Sequence, residues 1–307
     1  MIPLAGSAGT PPSPTPLPEK AASLSQGIRA TAIGEDRQGN LWVWNWNGGR
    51  VDLYSPTGEP EGVVRIPAAT DVDADRTWGV VAITGFGLEL RIASFEGEPD
   101  KVIPLKDGAQ GVTWIDHDSV AVSPALAAHR VEIWDLQSRT ASKRFGEEKP
   151  VVPGPGVTLQ RNVLLHYDER QGKLYSVESF TGDVQIFSVD GKLLRHETIP
   201  KPDRTALEES IAQDDQERRR RNDPVSINMT WYRMAVDSEG TFWSVQSCDG
   251  TRKKATFFKL PVNDPPSLVT SDEPCCNLSF ALWRGWLLLF PQPGGPPNRC
   301  NSIRRIP

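Results

Sequence analysis

The sequence lacks an excess of basic residues and has no long apolar run. Its 307 residues include 34 lysines and arginines against 39 aspartates and glutamates, a formal net charge of −5. No overall positive field therefore favours binding to nucleic acid. Its apolar runs are short, such as 286–290, whereas a membrane-spanning helix needs roughly 20 apolar residues. We expect neither a nucleic-acid partner nor a transmembrane segment.

Histidine is scarce, and familiar catalytic motifs are missing. The four histidines form no i, i+2 or i, i+4 pair of the kind that binds a metal: His117, His129, His166 and His196. There is no glycine-rich phosphate loop and no G-x-S-x-G elbow, which argues against nucleotide use and serine hydrolysis. If the protein is an enzyme, His129 in the segment ALAAHR is a candidate base. An exposed loop histidine without a role is the alternative.

Only four cysteines are present, all in the last fifth of the chain: Cys248, Cys275, Cys276 and Cys300. An even number in loop-like surroundings predicts disulfides, with Cys248 joined to Cys275 or Cys276 and the remaining cysteine to Cys300. Zinc is the alternative, but no C-x-x-C pair and no neighbouring histidine supports it. Because disulfides persist in oxidising compartments, we expect an exported protein, either periplasmic, secreted or lipid-anchored.

Residues 1–20 are rich in proline and predict a flexible tether rather than a folded segment. They contain neither a basic start nor an apolar core of the signal-peptide kind. We therefore expect the original signal sequence to be absent from this chain, and the tether to allow association with the cell envelope. A disordered cytoplasmic tail is the alternative.

The remaining residues, 21–307, repeat one pattern. The segments Gly39–Gly58 and Gly172–Gly191 each hold two alternating apolar runs split by a turn, which predicts an antiparallel hairpin. Further copies begin 37 to 71 residues apart, against ~40–50 residues per propeller blade. We predict an all-β fold, a six-bladed β-propeller, with five to seven blades compatible with the pattern. A β-sandwich is the competing architecture.

The longest spacing contains a helical pattern. Thr205 and Glu208 have capping-box spacing, and four arginines, Arg218–Arg221, follow an acidic stretch. We predict one helical insertion near 204–222. The closing sheet is expected to gain a strand from 21–25, since radial closure protects sheet edges.

The segment Asp36–Val43, followed by Gly49-Arg50-Val51 and Leu53-Tyr54, resembles the NHL-type repeat and related bacterial six-bladed propellers. The resemblance implies blades rather than a particular chemistry. Members of these families include binding modules, calcium-dependent lactonases and a streptogramin-cleaving lyase. The set of a glutamate, two asparagines and an aspartate that the lactonase type needs is not found here.

Aligned repeats place the ends of the second strands around one rim of the channel. The predicted ligand-binding rim consists of Asn45, Trp46, Thr84, Ser123, Glu178, Trp231, Gln246 and Gln292. Within it, Trp46 and Trp231 are candidates for stacking on a sugar or peptide, with packing as the alternative. Glu178 is the candidate acid, because it is the rim's carboxylate. A thin calcium site would consist of Glu178, Asp71, Asn45 and Asn228.

Amides and hydroxyls predominate in this rim, and they offer hydrogen bonds rather than acid–base chemistry. The sequence therefore favours a module that binds a protein, peptide or glycan over an enzyme. No cofactor is expected in that case. The alternative is a channel-sited enzyme, either a calcium-dependent lactonase-type hydrolase or a metal-assisted lyase.

Overall fold

Antiparallel strands make up about two-thirds of the described residues. The computed structural model describes residues 32–45, 48–125, 127–146, 163–178, 182–199, 220, 231–237, 240–246, 256–270, 278–283, 286–291 and 302–305. The strands of the first three sheets are β1 (Ala32–Glu35), β2 (Leu41–Asn45), β3 (Arg50–Tyr54), β4 (Pro60–Arg65), β5 (Asp71–Asp75), β6 (Gly79–Thr84), β7 (Glu89–Ala93), β8 (Lys101–Pro104), β9 (Ala109–Asp116), β10 (Ser119–Pro124), β11 (Val131–Asp135) and β12 (Thr140–Phe145). The strands of the other three are β13 (Val163–Asp168), β14 (Lys173–Glu178), β15 (Asp183–Ser188), β16 (Leu193–Thr198), β17 (Trp231–Val236), β18 (Phe242–Gln246), β19 (Thr256–Leu260), β20 (Ser267–Thr270), β21 (Leu278–Trp283), β22 (Trp286–Pro291) and β23 (Ser302–Arg305).

The sheets are arranged radially around a central channel. Within each sheet the strands follow chain order, and each pairs antiparallel with the next. The first strand of every sheet is innermost. Each inner strand contacts the inner strand of the next sheet, and β21 contacts β1, so the ring is closed. The fold is a β-propeller, which confirms the predicted class.

The blade number differs from the prediction. Five sheets, β1–β4, β5–β8, β9–β12, β13–β16 and β17–β20, are complete four-stranded blades, whereas β21–β23 forms a three-stranded sheet in the described residues. The structure thus has five complete blades, and the prediction of six is wrong. Repeated hairpins in the sequence identify each sheet, but they do not show whether that sheet has its fourth, outer strand. The closing strand predicted at 21–25 lies outside the described residues.

The core lies between neighbouring blades. Side chains alternate between the two faces of a strand, and both faces of a blade are covered, so second strands such as β6 are buried at every position. Trp42 and Trp44 pack with Val72 and Val80 between the first two blades. These two tryptophans therefore serve as packing between blades.

Aspartate ends or directly follows five of the inner strands and shapes the turn that comes next. These residues are Asp36, Asp75, Asp116, Asp168 and Asp237. The carboxylate of Asp36, for example, accepts hydrogen bonds from the backbone N–H groups of Gln38 (2.9 Å) and Asn40 (2.8 Å). Such bonds fix a tight turn. The Asp-x-x-Gly pattern in the sequence marks two of these turns, those at Asp36 and Asp237.

Helix is almost absent from the described residues, where a short 3-10 turn at Gly85–Gly87 interrupts the strands. The helical insertion predicted near 204–222 lies outside the described residues except for Arg220. In the described part of the chain, no helix has the length and apolar character needed to cross a membrane.

Candidate functional site: the central channel

The inner strands enclose a cavity of about 420 Å³. It runs from the first residues of β1 and β5 to the turns that follow β1 and β13. Its polar lining includes Glu35, Asp36, Arg37, Gln38, Asp71, Asp73, Thr113, His166, Tyr167, Asp168, Glu169 and Arg170. The cavity therefore combines many ionisable side chains with apolar ones, such as Trp42, Leu164 and Met234.

Two carboxylates of β5 connect this strand to β9, the next inner strand. The Asp71 carboxylate accepts a hydrogen bond from the Val112 N–H (3.0 Å), and that of Asp73 accepts bonds from the Trp114 N–H (3.0 Å) and the Thr113 hydroxyl (2.8 Å). These bonds satisfy backbone donors of β9 that no sheet partner reaches. Asp71 and Asp73 thus line the cavity and also hold two blades together.

Two cavity groups have displaced pKa values for the same physical reason. Burial raises the pKa of the Asp73 carboxyl to about 6, against the opposing effect of its hydrogen bonds. Burial lowers the pKa of the His166 imidazole to about 4, although Asp168 acts in the other direction. Burial disfavours the charged form in both cases. At neutral pH, His166 is uncharged and Asp73 is mostly ionised.

The channel mouth, formed by Arg37, Gln38, Glu169 and Arg170, lies at the turn end of the cavity. The Arg37 guanidinium lies 3.2 Å from the centre of the Trp78 ring and donates to the Asp75 carboxylate at 3.0 Å. It also reaches Glu169 at 3.5 Å. Arg37 therefore connects three different blades.

Of the residues predicted for the site from the sequence, Asp71 lines the cavity. Thr84, Ser123 and Glu178 are buried at the ends of second strands and are not among the residues that line it. Asn45 ends β2, where its side-chain oxygen accepts a bond from the Gly48 N–H (3.0 Å). The ligand-binding role of these four residues stays a prediction.

Apart from His129, the other predicted site residues lie on β17 and β18 or outside the described residues. Trp231 and Gln246 are paired in register on β17 and β18. Trp46, Asn228, Gln292 and the four cysteines lie outside the described residues. The predicted rim and the disulfides therefore remain predictions.

His129 does not approach the cavity. Its Nε2 atom lies 2.8 Å from the carboxylate of Glu132, on the third strand from the axis, and neither residue lines the cavity. Within the described ranges, no three His, Cys, Asp or Glu side chains converge in a way that would hold a metal ion. The calcium site stays a prediction, since Asn228 is not described.

Sequence reasoning missed Asp36, Arg37, Asp73 and His166 as cavity residues. One signal was available, because the segment DVDAD of β5 alternates charged and apolar residues in a strand that must lie near the axis. Reading inner strands for such alternation would have found Asp71 and Asp73. The approach of Arg37 to Glu169, 132 residues away, leaves no local trace.

The fold defines the class: this is a β-propeller protein. Solved structures of similar fold include a member of the DUF4221 family from Bacteroides vulgatus, with a TM-score of 0.57 and 10% identity, covering 90% of this chain and 93% of that one. Virginiamycin B lyase from Staphylococcus aureus has a TM-score of 0.55 and 10% identity, covering 90% and 83%.

The β-propeller domain of Cps50 (Swd1) from Myceliophteria thermophila has a TM-score of 0.53 and 13% identity, covering 90% and 84%. No protein-family model matches the sequence, and no curated protein sequence matches it. At such low identity the likeness extends to the fold alone. The resemblance to NHL-type repeats therefore stays an interpretation of the sequence.

Proposed function

We propose that this protein is a binding module that takes a segment of a protein, peptide or glycan into the channel cavity, without chemistry of its own. One observation carries the proposal: two carboxylates inside the cavity, those of Asp36 and Asp73, are already engaged by the protein's own N–H and O–H groups. Asp36 accepts bonds from Gln38, Asn40 and Arg76, and Asp73 from Ala74, Thr113 and Trp114. Groups held in this way shape a site and set its charge.

The size of the cavity supports a segment as the ligand. Pockets for small ligands have volumes of about 300–1,000 Å³, and this cavity has about 420 Å³. That volume accommodates one or two side chains or a sugar ring, but not a folded domain. A partner protein would therefore insert a loop or terminus.

A cavity-filling variant tests this function. Ala235 lines the cavity, so Ala235→Phe would reduce its volume, whereas Ala141→Phe places the same ring on the outer strand β12. Ligands found by screening peptide and glycan arrays should bind Ala235→Phe at least tenfold more weakly, by calorimetry, and the Ala141→Phe control as tightly as the wild type. Equal binding by all three proteins would contradict a ligand site in the channel.

A second candidate, a channel-sited lyase or hydrolase, has one observation in its favour. A carboxyl with a pKa near 6 in a cavity is suited to act as a general base near neutral pH. The expected result is loss of turnover in Asp73→Asn, provided that screening of lactones and cyclic depsipeptides finds a substrate. Calcium would be part of the lactonase version, and metal analysis of the purified protein tests it.

The exported location and the disulfides belong to the proposal as well. Oxidised cysteines in the native protein would support both. Mass spectrometry after alkylation, with and without reductant, should find no free thiol among the four cysteines before reduction. Four alkylated cysteines in the unreduced protein would oppose export to an oxidising compartment.

A further inference from the structure

Arg37 and Glu169 come from blades on opposite sides of the channel. Arg37 lies in the turn after β1, and Glu169 lies in the turn after β13. In the ring of inner strands, β5 and β9 separate these two blades on one side, and β17 and β21 separate them on the other. Because the guanidinium and the carboxylate approach to 3.5 Å, their contact crosses the axis of the propeller at the channel mouth.

The two partners of this contact are held very differently. Arg37 is fixed by the Asp75 carboxylate, whose side chain is only 4% exposed, and by the face of Trp78. Asp75 is itself held by the N–H groups of Thr77 (2.8 Å) and Trp78 (3.0 Å). The Glu169 side chain is 49% exposed and reaches Arg37 only at 3.5 Å. Glu169 is therefore the partner that moves most easily.

The charge of the cavity behind the Arg37–Glu169 contact determines which kind of group can replace Arg37 as the partner of Glu169. Among the described residues, the cavity lining carries six carboxylates, on Glu35, Asp36, Asp71, Asp73, Asp168 and Glu169, against the two guanidinium groups of Arg37 and Arg170. Backbone N–H groups donate to Asp36, Asp73 and Asp168, and a hydrogen bond from a neutral donor orients a carboxylate while leaving its charge in place. A cleft lined mainly by one sign of charge concentrates the field and attracts the opposite sign. The interior disfavours an anionic ligand.

We propose that the segment bound in the channel carries a cationic group, a primary ammonium or a guanidinium, and that this group enters by taking Glu169 from Arg37. Arg37 stays on Asp75 and Trp78, while Glu169 turns to the ligand. The contact across the mouth is thus the closed state of the site. This inference rests on the proposed binding function and adds the charge class of the ligand and its point of entry.

The test uses two small probes, a doubly blocked lysine and a doubly blocked glutamate, titrated into the full chain by calorimetry at low salt. The lysine probe should bind with a millimolar Kd and the glutamate probe more weakly by at least fivefold. Glu169→Gln should weaken lysine binding about fivefold. The matched control is Asp190→Asn, which changes the net charge equally at the exposed outer pair with Lys143 and should leave binding unchanged. Raising the salt concentration should weaken the lysine probe, because the mouth is open to solvent.

Three results would overturn the inference: no binding of the lysine probe, tighter binding of the glutamate probe, or equal effects of Glu169→Gln and Asp190→Asn. Failure of the inference differs from failure of the proposed function. If a neutral peptide or glycan binds the wild type and loses affinity in Ala235→Phe, while the lysine probe does not bind, the channel is a binding site without a cationic ligand. If no array ligand responds to Ala235→Phe, the binding function itself fails.

Discussion

Two regions of this propeller that bury charged side chains treat the charge in opposite ways. In the described lining of the channel, carboxylates outnumber cations, and Asp36 and Asp73 accept their hydrogen bonds from neutral N–H and O–H groups. Between the third and fourth blades, a polar seam consists of Ser123, Arg130, Ser176, Asp183 and Gln185. There the Arg130 guanidinium forms an ion pair with Asp183 and donates to the Ser176 hydroxyl at 2.7 Å. The seam is neutralised internally, whereas the channel keeps its charge.

The difference separates a structural use of charge from a functional one. An ion pair enclosed between blades has no access to a ligand, and its role is to join two sheets. Carboxylates beside a cavity project a field into space that another molecule can enter. Changes in the seam should therefore alter stability without altering binding, and changes at the channel mouth should do the reverse.

The largest expected effect is the loss of Arg130 from the seam. Arg130→Met leaves Asp183 buried without its guanidinium, and removing one partner of a buried pair costs about 3–5 kcal/mol. Urea unfolding should show a loss of that order. The control is Arg50→Met, because Arg50 is half exposed in its pair with Asp52 and should change stability by about 1 kcal/mol or less. A small effect of Arg130→Met would mean that the seam does not hold the blades together.

The turn aspartates provide the next comparison, between two positions of the same repeat. Asp36 accepts four hydrogen bonds, one of them from the Arg76 N–H of the second blade at 3.0 Å, whereas Asp116 accepts one from Asp118. Asp36→Ala should destabilise the protein by about 2–3 kcal/mol, since buried donors lose their acceptor. Asp116→Ala should cost less than about 1 kcal/mol. Equal losses would show that the turn bond alone, rather than the contact between blades, determines the effect.

These aspartates also show how far the sequence predicts the molecule. The Asp-x-x-Gly pattern and the hairpins after it recur, and repetition alone requires that equal units stack, so the propeller was predictable. The bond from the Arg76 N–H to Asp36 was not predictable, because Arg76 lies 40 residues away. The two residues meet only when the first two blades pack side by side. The same holds for Arg37 and Glu169.

The predicted site included Asp71 but missed most of the other cavity residues for a related reason. Aligning repeats identifies equivalent positions, such as Thr84, Ser123 and Glu178, but not which equivalent position faces the axis. The structure places the cavity lining on the first strands and the turns that follow, whereas the alignment had emphasised the ends of the second strands. The distance of a residue from the propeller axis depends on how the blades close into a ring, so it cannot be deduced from the sequence of one repeat.

Asp73 and His166 allow the electrostatics of the channel to be tested by pH. The pKa of Asp73 is raised to about 6 in the folded state from about 3.9 in the unfolded chain. Between about pH 4 and 6 the folded state therefore binds more protons than the unfolded state, and stability falls as the pH rises. The folded pKa of His166 is lowered to about 4 from about 6.5, so stability rises with pH across nearly the same window. In the wild type these slopes offset each other.

Removing either group should reveal the slope of the other. Relative to wild type, Asp73→Asn should gain up to about 2 kcal/mol of unfolding free energy between pH 4 and 6.5, and His166→Gln should lose a similar amount. Denaturant unfolding at four or five pH values measures both. Parallel pH profiles for the two variants would show that the cavity does not bury these groups as the structure indicates.

The smallest effect should come from the seam, at the hydroxyl of Ser123. In the described structure this buried oxygen has no hydrogen-bond partner, whereas the hydroxyl of Ser176 accepts from Arg130. Ser123→Ala removes an unsatisfied polar group and should change stability by less than about 1 kcal/mol or increase it, while Ser176→Ala should cost about 1–2 kcal/mol because Arg130 loses an acceptor. Thermal unfolding of the pair measures this difference. If Ser123→Ala instead leaves stability unchanged but weakens an identified ligand, the second-strand rim predicted from the sequence binds that ligand, and the distinction between a structural seam and a functional channel no longer holds.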